Sequence, residues 1–116
     1  MQSITIKRPD DWHVHFRDED NLPQTVNATA AHFNRALVMP NLTPPLIKLD
    51  QILEYRQRIL SACHSESSFK PMMTFFINEA SREEDFILAC QYPFIVGAKL
   101  YPAGATTNSD QGASSL

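Results

Sequence analysis

The chain has 116 residues, of which 43% are hydrophobic and 20% charged, a composition that suits one globular domain. Ten Lys and Arg residues against thirteen Asp and Glu residues give a net charge of −3, which leaves no basic surface for binding dominated by nucleic-acid phosphates. Because the N-terminus is polar, no signal peptide is predicted. Because no apolar run is long enough, no membrane span is predicted either. Cys63 and Cys90 are far apart and are expected to be reduced thiols of a cytoplasmic protein.

Strand-like alternation and helix-like spacing of apolar residues follow one another along the chain. The predicted elements are, in chain order, a strand at 11–17, a helix at 21–33, a strand at 36–39, a helix at 51–62, a strand at 71–77, a helix at 81–91 that begins with the S-x-x-E capping box of Ser81, and a strand at 94–101. This order predicts an α/β fold with about four parallel strands and three crossover helices. Chemistry in such folds is expected in the loops that follow the strands.

His13 and His15 lie two residues apart in the first predicted strand, so their side chains share one face, and Arg17 has the same parity. The intervening apolar side chains are expected to face the helices: Trp12, Val14 and Phe16. Two imidazoles on one strand face are either a pair of metal ligands or two histidines that are solvated or bonded separately.

Lys99 lies on the inner face of the fourth predicted strand, together with Gly97 and Tyr101. Its ammonium group either extends to water from the strand end or is buried, which would lower its pKa and favour the neutral amine. A neutral lysine amine can react with carbon dioxide to give a carbamate, whose two oxygens are able to bridge two metal ions.

Two loops after strands offer further candidates. Asn41 follows the second predicted strand in a loop stiffened by prolines, where its side chain either binds a ligand or forms an Asx turn. Residues 104–116 are predicted to be a flexible loop or tail, either a lid over a bound anion or a disordered end, and the sequence favours the disordered end.

Three segments occur in order along nearly the whole chain, and their combination is more specific than any single motif. They are 11–18 (DWHVHFRD), 38–45 (VMPNLTPP) and 98–108 (AKLYPAGATTN). Together they closely resemble the N-terminal third of the short, bacterial-type dihydroorotases, which belong to the amidohydrolase superfamily. The resemblance implies that residues 1–116 are the N-terminal portion of a metal-dependent, TIM-type (β/α) barrel.

The resemblance also implies a metal centre with two zinc ions. His13 and His15 would be ligands of the more buried zinc, and Lys99 would be the N6-carboxylated lysine that bridges both ions. Two zinc ions would lower the pKa of a bridging water and polarise the ring carbonyl of the substrate.

For the substrate, the resemblance implies that Arg17 and Asn41 bind its carboxylate and that Thr106 and Thr107 lie on a loop that closes over it. The family catalyses the reversible cyclisation of N-carbamoyl-L-aspartate to (S)-dihydroorotate in de novo pyrimidine biosynthesis. The implied partners are this small molecule and, in the intact enzyme, a second copy in a homodimer.

The family takes its remaining zinc-binding histidines and its catalytic aspartate from later strands. The resemblance implies that these residues lie beyond Leu116, because the 116 residues contain none of them. We therefore expect no catalytic residue and no turnover in the isolated chain. Two alternatives remain: a non-catalytic fragment that binds metal weakly or self-associates through open sheet edges, or an unrelated small α/β binding module.

Overall fold

The computed structural model describes residues 1–105 and 110–114. Its elements alternate as the sequence predicts, with strands β1 (Asp11–Val14), β2 (Arg35–Val38), β3 (Lys70–Ile77) and β4 (Ile95–Leu100) and helices α1 (Leu22–Ala30), α2 (Leu49–Ala62) and α3 (Glu83–Ala89). The four strands form one parallel sheet in the order β1-β2-β3-β4, joined by the three helices. The predicted α/β architecture is therefore confirmed.

The main core lies between the sheet and the helices. Val26 of α1, Ile59 of α2 and Phe75 of β3 are almost fully buried there, because each element turns its apolar side toward the same layer. Tyr55 of α2 is also fully buried, and Phe75 contacts Phe86 of α3 with ring centroids 4.6 Å apart. Within the described ranges, no helix is long and apolar enough to cross a membrane.

Both edge strands contain a register irregularity. The pairing of β1 with β2 shifts between Asp11 and Val14, and the pairing of β3 with β4 shifts between Met73 and Thr74, whose partners are Ile95 and Gly97. Such a shift is a β-bulge, in which one extra residue changes the direction of the side chains that follow it.

The bulge in β1 makes one expectation wrong. Phe16 is fully buried and Val14 packs against the core, as predicted, but Trp12 is 60% exposed instead of facing the helices. Its ring lies 5.5 Å from the guanidinium carbon of Arg35, at the start of β2. The extra residue between Asp11 and Val14 interrupts the strict alternation on which the prediction depended.

The predicted capping box of the third helix is also wrong. The helix begins at Glu83 with Arg82 as its N-cap residue, and no side chain caps it. The Ser81 hydroxyl instead accepts a 3.0 Å hydrogen bond from the backbone N–H of Asn78. This side chain therefore stabilises the loop after β3 rather than the helix.

Part of the predicted tail contacts the end of β3. Ala113 is buried and forms an isolated parallel bridge with Pro102, while the Asn78 side-chain amide donates to the Gln111 carbonyl at 2.7 Å. The Ser114 hydroxyl donates to Glu79 Oε1 at 2.7 Å. These contacts place residues 110–114 beside the carboxyl ends of β3 and β4.

Candidate metal and carboxylate site

His13 of β1 and His15, which lies just after the strand, converge. The Nε2 atoms of His13 and His15 are 3.1 Å apart, and the ring centroids are 5.1 Å apart. The backbone N–H of His13 donates to Asp11 Oδ1 at 3.0 Å, which fixes the backbone immediately before this pair. Both imidazole edges therefore point at one another at the carboxyl end of the strand.

The electrostatics of the site favour a neutral His15. Burial, together with the nearby charges of Lys99, Arg17 and His13, lowers its pKa from 6.5 to about 4. A neutral imidazole has a ring-nitrogen lone pair available for a metal ion. The effect of Lys99 and Arg17 on this pKa also shows that both cations lie near the histidine pair.

Lys99 reaches this region from β4. Its Nζ donates to Asn41 Oδ1 at 2.8 Å and lies 5.0 Å from the centroid of the Tyr101 ring. Burial lowers the pKa of Lys99, because a partly buried ammonium group loses part of its hydration. Asn41 is itself only 1% exposed, and it links the loop after β2 to β4.

Arg17 completes the cluster from the loop after β1. Its backbone has a positive φ of 61°, and its carbonyl accepts a hydrogen bond from the Tyr55 hydroxyl of α2. Its Nη1 atom is buried and has no hydrogen-bond partner among the described residues. A buried guanidinium N–H in this state is suited to an anionic ligand.

The histidine pair fits a zinc ion. Imidazole nitrogen is a preferred zinc ligand, and two Nε2 atoms 3.1 Å apart are close enough for both to bind one ion. Among residues 1–105 and 110–114, no three His, Cys, Asp or Glu side chains form a metal-binding group. A third ligand from the neighbouring residues would have to be Lys99, whose amine binds a metal only after it has lost its positive charge.

Comparison with known proteins finds similarity to dihydroorotases. The chain is 53% identical over all 116 residues to a protein named dihydroorotase from Shewanella sediminis, and 54% identical over 110 residues to one from Pseudoalteromonas atlantica. The chain spans about a third of the length of these curated relatives, 33% and 32% respectively.

Solved dihydroorotase structures share the fold. The crystal structure of dihydroorotase from Campylobacter jejuni matches 93% of this chain with a TM-score of 0.83 and 42% identity, and the chain covers 31% of it. Dihydroorotase from Saccharomyces cerevisiae, solved in complex with 5-fluoroorotic acid, matches 90% with a TM-score of 0.78 and 31% identity, and the chain covers 28% of it. No protein-family model matches the chain.

The structure brings together five of the seven site residues expected from the dihydroorotase resemblance: His13, His15, Arg17, Asn41 and Lys99. Thr106 and Thr107 lie outside the described residues. Leu116 also lies outside them, and the expectation that the catalytic aspartate of the family follows Leu116 stays a prediction. The other two histidines, His32 and His64, are exposed.

Sequence reasoning missed the residues that support Arg17. Asp18, directly after Arg17, binds Arg58 of α2 through both carboxylate oxygens. Tyr55 lies three residues after Ile52 and four before Ile59, so its helical spacing could have indicated a place on the buried face. The contact between Arg58 and Asp18 spans forty residues, and no local pattern predicts it.

Proposed function

We propose that this chain supplies the metal-binding and carboxylate-binding third of a cytoplasmic, zinc-dependent dihydroorotase. The reaction is the reversible cyclisation of N-carbamoyl-L-aspartate to (S)-dihydroorotate in de novo pyrimidine biosynthesis. The observation that carries the proposal is the 3.1 Å approach of the His13 and His15 Nε2 atoms beside Lys99. The identity to dihydroorotases over the whole chain supports the same conclusion.

His13 and His15 would hold zinc through their Nε2 atoms, and burial, the largest cause of the lowered pKa of His15, favours the neutral ring that a metal ion requires. Zinc, when bound, supplies a water of lowered pKa and polarises the carbonyl of the substrate ring. The protein's own contribution is to fix the two imidazoles at the carboxyl end of β1, so that little reorganisation accompanies binding.

Lys99 would be the carboxylated lysine. Its neutral amine forms a C–N bond to carbon dioxide and releases one proton, which leaves a carbamate with two metal-binding oxygens. Burial lowers the pKa of Lys99, so the amine loses its proton more readily than a solvated lysine does. The 2.8 Å hydrogen bond to Asn41 Oδ1 holds the nitrogen beside the loop after β2.

Arg17 and Asn41 would bind the carboxylate of the substrate, and Thr106 and Thr107 would close over it. The Nη1 of Arg17 is buried and has no partner among residues 1–105 and 110–114, which supports the first role, because a carboxylate oxygen is the acceptor that a guanidinium N–H prefers. Asn41 is buried at the carboxyl edge of the sheet, where ligands bind in α/β folds.

We propose that the 116 residues alone do not catalyse this reaction, because the acid–base aspartate of the family is not among them. Self-association, including the homodimer expected of the intact enzyme, is the second candidate property. Its support is the exposed apolar surface of the edge strands, where Val96 is 50% and Leu100 49% exposed, together with Trp12.

Metal analysis tests the proposal. The purified chain is stripped with a chelator, incubated with zinc, desalted and measured by atomic emission, alongside His13→Ala and the matched surface variant His32→Ala. We expect zinc to be retained by the wild type and by His32→Ala, and lost from His13→Ala. Equal zinc in all three proteins would refute the metal site, and dihydroorotate turnover by the isolated chain would refute the proposed inactivity.

A further inference from the structure

The turn after β1 has an uncommon backbone. Arg17 and Glu19 adopt positive φ angles of 61° and 54°, a left-handed conformation that is unfavourable for residues with a Cβ. Hydrogen bonds from α1 and α2 hold this backbone conformation in place. The Thr25 hydroxyl of α1 donates to the Phe16 carbonyl at 2.7 Å, and the Tyr55 hydroxyl of α2 donates to the Arg17 carbonyl.

This turn places a cation next to two carboxylates. Asp18 and Glu19 directly follow Arg17, and the three residues line one cavity of about 240 Å³ together with Leu42 and Thr43. A guanidinium group in such surroundings normally forms an ion pair, because a buried N–H without an acceptor is costly. Nevertheless, no ion pair of Arg17 is present in the described part of the chain, and its Nη1 has no partner.

Arg58 explains why Asp18 does not pair with Arg17. Its Nε donates to Asp18 Oδ1 at 3.1 Å and its Nη2 to Asp18 Oδ2 at 2.8 Å, so both carboxylate oxygens are engaged. The Arg58 side chain is 44% exposed and the Asp18 side chain 27%. Two parallel hydrogen bonds are the strongest arrangement that an arginine and a carboxylate form. The carboxylate adjacent to Arg17 in the chain is thereby bound to α2.

We propose that Arg58 is a positioning residue that keeps Arg17 available to an anionic ligand by binding Asp18. The inference rests on the proposed carboxylate-binding role of Arg17. The function of the Arg58–Asp18 pair is then electrostatic as well as structural: it neutralises the adjacent carboxylate, which could otherwise take the place of the ligand's carboxylate.

Four variants of the full chain separate these possibilities, with L-dihydroorotate as the probe and its dissociation constant measured by calorimetry at fixed ionic strength. Arg17→Met is expected to lose binding. Arg58→Met is expected to weaken binding about tenfold, because Asp18 is then free to pair with Arg17. Asp18→Asn is expected to bind at least as tightly as the wild type, and the double variant Asp18→Asn/Arg58→Met is expected to recover the affinity that Arg58→Met loses.

A purely structural ion pair gives a different pattern. Asp18→Asn would then weaken binding as much as Arg58→Met, and the double variant would recover nothing, which would overturn the inference. Unchanged binding in Arg58→Met would overturn it as well. If the wild type binds no better than Arg17→Met, the proposed carboxylate role of Arg17 fails, and the inference fails with it.

Folding is controlled by circular dichroism and by a conservative variant. Arg58→Lys keeps a cation beside Asp18 with one contact in place of two, so its affinity is expected to lie between those of the wild type and Arg58→Met. An affinity of Arg58→Lys at or below that of Arg58→Met, with the fold intact, would contradict the charge-based role.

Discussion

Replacement of Tyr55 with phenylalanine gives a pH-dependent test of how α2 supports the turn at Arg17. Tyr55 is fully buried, and its hydroxyl donates to the Arg17 carbonyl. Burial raises its pKa well above 10.0, and the charge of Asp18 raises it further. The folded protein therefore keeps this phenol protonated at a pH at which the unfolded chain loses the proton.

The expected magnitudes at the two pH values differ. At pH 7, Tyr55→Phe removes one buried hydrogen bond and leaves a carbonyl without it, which lowers the free energy of unfolding by about 1.5 kcal/mol. At pH 11, the wild type is itself less stable by about 1.4 kcal/mol, because an unfolded tyrosine with a pKa of 10.0 ionises there while folded Tyr55 does not. The stability that Tyr55 contributes is thus complete below pH 10 and declines above it.

Urea unfolding at pH 7 and pH 11 measures both values. The deficit of Tyr55→Phe relative to the wild type is expected to shrink from about 1.5 kcal/mol to nearly zero. Thr74→Val is the matched control, because it removes another buried hydroxyl, bonded to the Val38 carbonyl at 2.6 Å, that does not titrate in this range. A deficit of Tyr55→Phe that stays constant between the two pH values, like that of Thr74→Val, would refute the reasoning.

Two further predictions concern stability. Ile59→Ala, at a fully buried position of α2, is expected to lower the free energy of unfolding by about 2–5 kcal/mol, whereas Ile87→Ala at an exposed position of α3 should change it by less than about 0.5 kcal/mol in the same urea titration. Asp10→Asn removes the 2.6 Å pair with Arg35, whose hydrogen bond and charge lower the pKa of Asp10 below 3.8. The stabilisation is present above that pH and is lost in more acidic solution, so the Tm difference from the wild type is expected to shrink as the pH falls below about 4. Equal effects of the two isoleucine variants, or a Tm difference for Asp10→Asn that persists in acid, would contradict these expectations.

The sequence was sufficient for the sheet because its information there is periodic. Short apolar runs alternate with amphipathic stretches, and this alternation restricts the topology to parallel strands joined by crossover helices. His13 and His15 could be located for the same reason, since their two-residue spacing is that of a strand, although β1 itself ends at Val14 rather than at residue 17.

Prediction ended where pairing between distant elements decides the outcome. The direction of Trp12 depends on the bulge between β1 and β2, and the state of Arg17 depends on side chains that α2 supplies about forty residues later. The Ser81 hydroxyl had a competing local partner in the Asn78 backbone, which a capping pattern does not reveal. For Trp12 and Arg17 the deciding interaction is long-range, whereas for Ser81 it is a local hydrogen bond that the capping pattern does not encode.

The register shift between β3 and β4 also explains how Lys99 comes to face the candidate site. In a regular strand, Ile95, Gly97 and Lys99 would share one face, and Ile95 packs against the core on the helix side. The shift between Met73 and Thr74 pairs Gly97 with Thr74 and Lys99 with Phe76, while Ala98 takes the place beside the core residue Phe75. One extra residue therefore moves the lysine from the helix layer to the opposite face, where its Nζ meets Asn41 and its charge acts on His15. The strands that carry the proposed metal ligands are thus the strands whose pairing is irregular, whereas the pairing between β2 and β3 keeps a regular register and serves as the support.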